Sequence, residues 1–174
     1  MTRTSLISFF ALTVGIGGAL AAGVGLDRDD LAPAVTLDKQ EAAIHAASVF
    51  ARADLDKDNV LSADEYAALS IVTAELGRLN GYMTIEGVGD EQTIALPIAA
   101  PSAVSRAERA RIEAVARGDY YANAGSDGVL SADEFVAMSD QRFERADRNR
   151  NGALTRSELV AFAASEAGIA APGV

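Results

Sequence analysis

The sequence predicts an all-α protein of helix–loop–helix repeats, with an irregular or small β-hairpin insertion around residues 81–101. Apolar residues recur at helical spacing, and short acidic loops separate the helical segments. The stretch VLSADEY at 60–66 returns as VLSADEF at 129–135, and a looser copy, ALTRSEL, follows at 153–159. Internal repetition of this kind is typical of a fold built from one supersecondary unit.

The five predicted helices run from a cap at Thr36 or Asp38 to about Ala53, from Ser62 to Leu79, from Ser102 to about Arg117, from Ser131 to Ala146, and from near Thr155 to about Ala164. In the second helix, Tyr66, Leu69, Val72 and Leu76 predict the apolar face. The insertion is rich in glycine and contains two prolines. A β-like stretch at 93–96 and a turn at 87–90 are expected there.

Composition excludes several classes of function. The chain has 174 residues, with 15 Lys and Arg against 25 Asp and Glu, giving a net charge of -10. No nucleic-acid partner is expected, because such proteins need a clustered basic surface. The absence of cysteine excludes disulfides and thiolate catalysis. The single histidine, His45, is expected to be a surface or half-buried helix residue, and no catalytic constellation stands out, so the sequence predicts no enzyme.

Residues 1–21 have the pattern of a signal peptide: Arg3 precedes an apolar run, and small residues stand at Ala19 and Ala21. An uncleaved membrane anchor is the alternative, because the run from Leu6 to Leu26 is about long enough to span a bilayer. Glycines and alanines within the run weaken such a helix. We therefore expect cleavage, no stable membrane span afterwards, and a periplasmic or secreted protein.

The rest of the chain divides by composition. Residues 22–36 are expected to be a linker, residues 37–166 the repeat domain, and residues 167–174 a flexible tail. The repeats of this domain supply the candidate site, because acidic residues alternate in the loops between its helices.

The repeated unit resembles the EF-hand family, whose twelve-residue loop binds Ca²⁺ through oxygen ligands at positions 1, 3, 5, 7, 9 and 12. For the loop 54–65 the resemblance implies the ligands Asp54, Asp56, Asp58, the Val60 carbonyl, Ser62 (through water) and Glu65. Leu61 would anchor the loop to the core. Asn59 stands where the family has glycine, at a position that needs a left-handed backbone, and asparagine tolerates this better than most residues.

The loop 147–158 meets the family pattern in full. Its implied ligands are Asp147, Asn149, Asn151, the Ala153 carbonyl, Thr155 and Glu158. Only two of these ligands are anionic, whereas the loop 54–65 offers four carboxylates. We therefore expect weaker Ca²⁺ binding at 147–158.

The loop 123–134 departs from the pattern. Asn123 occupies position 1, and Gly125 at position 3 has no side-chain oxygen. We expect a structural remnant, although the sequence leaves open whether this loop binds metal. Only twelve residues, 135–146, separate it from the next loop, so one helix must serve both. Loops at opposite ends of one helix cannot pair, and the loop 54–65 must pair with one of them or stay alone.

The resemblance implies a Ca²⁺-binding protein that acts as a structural binder or buffer. The alternative is a calcium-dependent sensor that exposes an apolar groove to a protein partner. The sequence does not identify a partner or an oligomeric state.

Overall fold

Five helices alternate with short strands in the part of the chain that the computed structural model describes, residues 36–86 and 91–169. The helices are α1 Lys39–Ala53, α2 Ala63–Asn80, α3 Arg106–Asn123, α4 Ala132–Ala146 and α5 Arg156–Glu166. The strands are β1 Thr36–Asp38, β2 Val60–Leu61, β3 Tyr82–Glu86, β4 Glu91–Ala95, β5 Leu130–Ser131 and β6 Ala153–Thr155. The predicted signal peptide at 1–21, the linker before Thr36, the turn at 87–90 and the end of the tail at 170–174 lie outside the described residues.

Reciprocal capping boxes begin the first four helices. The cap residues Asp38, Ser62, Ser105 and Ser131 accept a hydrogen bond from the backbone N–H of a glutamate three residues later, and that carboxylate accepts from the N–H of the cap. Such boxes satisfy donors that a helix start leaves unpaired. The predicted cap at Asp38 is confirmed.

Helix α3 differs from its prediction at both ends. It begins after the box at Ser105, not at Ser102, and it continues through Gly118 to Asn123. A glycine costs a helix only about 1 kcal/mol, and the last turn offsets this by burying Tyr120, whose hydroxyl donates to the Gly128 carbonyl at 2.9 Å.

Three two-stranded antiparallel ribbons make the description all-α only approximate. Strand β2 pairs with β5, β1 with β6, and β3 with β4. The first two ribbons centre on the pairs Leu61–Leu130 and Leu37–Leu154, and all four leucines are fully buried. The loop 54–65 therefore pairs with the loop 123–134. The loop 147–158 pairs instead with β1, whose first residue, Thr36, was expected to end a linker.

Helices α1 and α4 lie side by side in opposite directions. Lys39 at the start of α1 forms an ion pair of 2.9 Å with Glu144 near the end of α4. Phe50 near the end of α1 packs edge-on against Phe135 at the start of α4, with ring centroids 5.9 Å apart. One ribbon consequently lies at each end of the α1–α4 pair, and α4 serves two loops as predicted.

The β2–β5 and β1–β6 ribbons each cover an apolar cluster. The cluster under β2–β5 draws on α1, α2, α3 and α4, with Phe50, Tyr66, Tyr120 and Phe135 as its aromatic members. The cluster under β1–β6 draws on α1, α4 and α5, and the β3–β4 hairpin completes it with Ile85 and Ile94. The first cluster is therefore enclosed by four helices, and the second by three helices and the hairpin.

The predicted apolar face of α2 is confirmed at Tyr66 and Leu69 but is wrong at Val72 and Leu76. Val72 and Leu76 are 51% and 42% exposed, while Ala74 and Gly77 are buried. Small residues face inward because the neighbouring chain approaches closely: a Cβ at Gly77 would lie 3.0 Å from the Leu96 side chain. None of the helices in residues 36–86 and 91–169 is both long and apolar enough to cross a membrane.

Candidate metal centre

Three carboxylates converge at the end of α1. Asp54, Asp56 and Asp58 alternate along the loop, and they can offer oxygens that all lie within 4.8 Å of one another. Asp54 is only 8% exposed, while the other two face solvent. Oxygen-only donors at this spacing fit a hard divalent cation such as Ca²⁺, which takes six to eight oxygens at 2.3–2.6 Å.

Backbone hydrogen bonds hold the loop around Asp54. Its carboxylate accepts from the N–H groups of Asp58 and Asn59 at 3.2 and 3.0 Å. The turn between them places Asn59 at φ 68°, in the left-handed region that this position was expected to need. The carboxylates are therefore brought together by the local chain and not by distant packing.

Glu65 reaches back over the loop from the first turn of α2. One carboxylate oxygen accepts from the Leu55 N–H at 2.9 Å, and the other accepts from the Ser62 N–H and hydroxyl at 2.9 and 2.8 Å. Burial raises the pKa of Glu65, but these hydrogen bonds outweigh it and hold the pKa below its ordinary value. Glu65 is therefore an ionised carboxylate aimed at the loop.

Negative charge accumulates at the three aspartates of this loop, whose one lysine, Lys57, forms no ion pair with them among the described residues. Desolvation, followed by the nearby charges of Asp58 and Glu65, raises the pKa of Asp56. Among the described residues, no Lys or Arg forms an ion pair with Asp54, Asp56 or Asp58. A bound cation would relieve this repulsion, so the donor set fits a metal ion.

The loop 147–158 has the same backbone with fewer charges. Asp147 accepts from the N–H groups of Asn151 and Gly152 at 3.1 and 2.9 Å, matching the two bonds made by Asp54. The Asn149 amide donates to Glu158 at 3.0 Å. Asp147 and Glu158 are 9% and 7% exposed, and the asparagine oxygens complete the set. This loop also offers oxygen ligands only.

The loop 123–134 keeps the frame but lacks a ligand. Ser131 and Glu134 form the same capping box as Ser62 and Glu65, and hydrogen bonds from Ser131 are the main reason that the pKa of Glu134 is lowered. At Gly125, a Cβ would lie 2.6 Å from a carboxylate oxygen of Glu134. The carboxylate thus fills the space in which a side-chain ligand at position 3 would begin.

The family model of the EF hand matches residues 46–70 and 140–163. The chain carries two EF hands. The first contains the loop 54–65 and the second the loop 147–158, so the match covers both loops that fit the ligand pattern. No curated protein and no solved structure gives a match to the chain. Two EF hands indicate calcium binding in general, and the family is typically non-enzymatic.

Sequence reasoning missed the partner of the second EF hand. The residues Thr36, Leu37 and Asp38, with Glu41 three positions later, repeat the spacing of Val60, Leu61, Ser62 and Glu65. The segment therefore has the second half of an EF-hand loop, and its pairing with β6 places it where a complete loop would lie. The sequence signal for this strand was Leu37 followed by the cap Asp38 and then by Glu41, the same order as in the loop 54–65.

His45 is also placed differently from its prediction. It is 3% exposed on α1, and its Nδ1 accepts from the backbone N–H of Glu86 at 3.1 Å. Burial lowers its pKa. The hairpin covers this side of α1, which is why a histidine expected at the surface is enclosed. His45 belongs to neither EF-hand loop.

Proposed function

We propose that the chain binds two Ca²⁺ ions, at 54–65 and 147–158, and serves as a structural binder or buffer in an exported protein without catalysis. The observation that carries the proposal is the convergence of Asp54, Asp56 and Asp58 beneath the ionised carboxylate of Glu65. The spacing of these oxygens and their net negative charge support a bound divalent cation and not an acidic turn that only caps a helix.

Each loop would use six residues. In the first, Asp54, Asp56, Asp58, the Val60 carbonyl, Ser62 and Glu65 would act; in the second, Asp147, Asn149, Asn151, the Ala153 carbonyl, Thr155 and Glu158. Glu65 and Glu158 would bind bidentately. The first loop is expected to bind more tightly, because it has four carboxylates against two.

Calorimetric titration with Ca²⁺ tests the assignment. Glu65→Gln should reduce the stoichiometry from two ions to one, since the amide removes a bidentate ligand and a negative charge. Glu134→Gln is the matched control, because Glu134 sits in the same capping box above an incomplete loop. It should leave two ions bound. An unchanged stoichiometry for Glu65→Gln, or a loss for Glu134→Gln, contradicts the assignment.

The sensor alternative predicts a different response. Met138, Phe143 and Phe162 are 6%, 1% and 0% exposed and belong to the two apolar clusters. A structural binder keeps them covered and gains stability by mass action, about 2.7 kcal/mol at a hundred times Kd. A sensor instead exposes apolar surface when Ca²⁺ is added. Binding of a fluorescent apolar dye, measured with Ca²⁺ and with chelator, separates the two.

Export is supported by the sequence of residues 1–21. Mass spectrometry of the protein from its native cell should show a chain that begins near Ala22. An intact N-terminus in the membrane fraction would favour the anchor.

A further inference from the structure

Three side chains join α2, α4 and α5 beneath the surface. The Arg142 guanidinium donates to both carboxylate oxygens of Glu166 at 3.2 Å and, through its other terminal nitrogen, to the Tyr66 hydroxyl at 3.0 Å. The side chains of Arg142 and Glu166 are 19% and 11% exposed, and Tyr66 is 3% exposed. A charge-assisted network shielded from water is stronger and more rigid than an exposed ion pair.

The network touches the helices that leave or enter both EF-hand loops. Tyr66 directly follows Glu65, the carboxylate that closes the first loop. Arg142 lies on α4, five residues before Asp147 opens the second loop, and Glu166 ends α5, the helix that leaves that loop. A shift in the first turn of α2 therefore reaches both helices of the second EF hand through two hydrogen-bonded contacts.

Direct interaction between the two loops is weak. They lie at opposite ends of the antiparallel α1–α4 pair, roughly 20 Å apart for a helix of this length. Salt screens charges over about 8 Å at physiological ionic strength. The backbone ribbons do not connect the loops either, since β2 pairs with β5 and β6 pairs with β1.

We propose that the Tyr66–Arg142–Glu166 network makes Ca²⁺ binding at the two EF hands cooperative. The inference rests on the proposed function. An ion in the first loop fixes Glu65 and the adjoining turn of α2, Tyr66 then holds Arg142, and Arg142 with Glu166 holds α4 against α5. The second ion meets helices that are already ordered, so its binding costs less. These three residues are positioning residues and not ligands.

Calorimetry on the full chain measures the coupling. Glu158→Gln reports the affinity of the first loop alone, and Glu65→Gln that of the second. The coupling factor is the overall binding constant of the unmodified protein divided by the product of these two constants. Coupled sites typically give a factor of at least about 5. Repeating the set with Tyr66→Phe, which removes one hydroxyl and keeps the ring, should lower the factor.

Two further variants complete the test. Tyr120→Phe removes another buried hydroxyl of the same aromatic cluster, one that bonds the Gly128 carbonyl and no member of the network, and should leave the coupling intact. Glu166→Gln weakens the network at its other end and should lower the factor as Tyr66→Phe does. A factor near 1 in the unmodified protein, or no change in Tyr66→Phe, overturns the inference. If the unmodified protein binds no Ca²⁺, the proposed function fails instead.

Discussion

Leu37→Ala tests whether the short strand β1 is part of the core. Leu37 is fully buried in the cluster with Phe143, Leu154 and Phe162 and faces Leu154 across the ribbon. The substitution removes three carbons, about 2.4 kcal/mol of transfer free energy at about 0.8 kcal/mol each. The cavity left in a packed cluster brings the loss to about 3–5 kcal/mol. Because domains of this size are stable by only about 5–15 kcal/mol, such a loss is large.

Urea unfolding in chelator measures this loss as a lower midpoint at an unchanged slope. Leu79→Ala, on a side chain that is 52% exposed, is the control and should change stability by less than about 0.5 kcal/mol. Because β1 pairs with β6, Leu37→Ala should also weaken Ca²⁺ binding at 147–158 more than at 54–65. A loss below about 1 kcal/mol would show that β1 is dispensable and that its burial is not a source of stability.

Three further predictions concern single sites. Burial holds the pKa of His45 below its ordinary value of 6.5, so the unfolded chain binds more protons and the unfolding free energy should fall as the pH drops below about 6.5. In a pH series recorded in chelator, His45→Gln should remove this contribution to the pH dependence. Asn59→Ala should lower stability by about 1 kcal/mol because alanine resists a positive φ, whereas Asn59→Gly should not, and thermal unfolding of the pair decides. Replacing Asn123 and Gly125 together by aspartate should add a third Ca²⁺ in calorimetry, since the capping box of that loop is already formed and the Glu134 carboxylate, at the end of a flexible side chain, can move aside for the new Cβ. A stoichiometry that stays at two would show that Glu134 does not move or that further ligands are missing.

The helices and the ligand-bearing loops follow from local sequence. Cap residues and apolar spacing predicted four of the five helix starts to within one residue, the first of them at Asp38 as one of two alternatives. The missed start, at Ser105, carries a capping box with Glu108, a contact between residues three apart that the sequence already contained. Convergence of Asp54, Asp56 and Asp58 was predictable for the same reason: a tight loop brings alternate side chains together without help from the rest of the chain.

Features that depend on distant contacts were not predictable. Thr36 and Leu37 form a strand only because β6, more than a hundred residues later, supplies its partner. His45 is buried because the hairpin packs over it, and the Val72 and Leu76 face of α2 is exposed because Gly77 lets the chain around Leu96 approach from the other side. In each case the deciding neighbour is remote in sequence, and helical periodicity carries no information about it.

The lengths of α1 and α4 are constrained, because each of these helices connects two of the paired loop segments. Helices α1 and α4 both have 15 residues, and each carries a loop or half-loop at either end. Adding one residue to α4 would turn everything beyond it by about 100° and move it by about 1.5 Å. The loop 147–158 would then face away from β1 while the loop 123–134 stayed paired with its neighbour. An insertion or deletion within α1 or α4 should therefore disrupt the pairing of a loop at one end of the helix. Between β3 and β4 such changes should be tolerated, because no EF-hand loop depends on the orientation of the chain there.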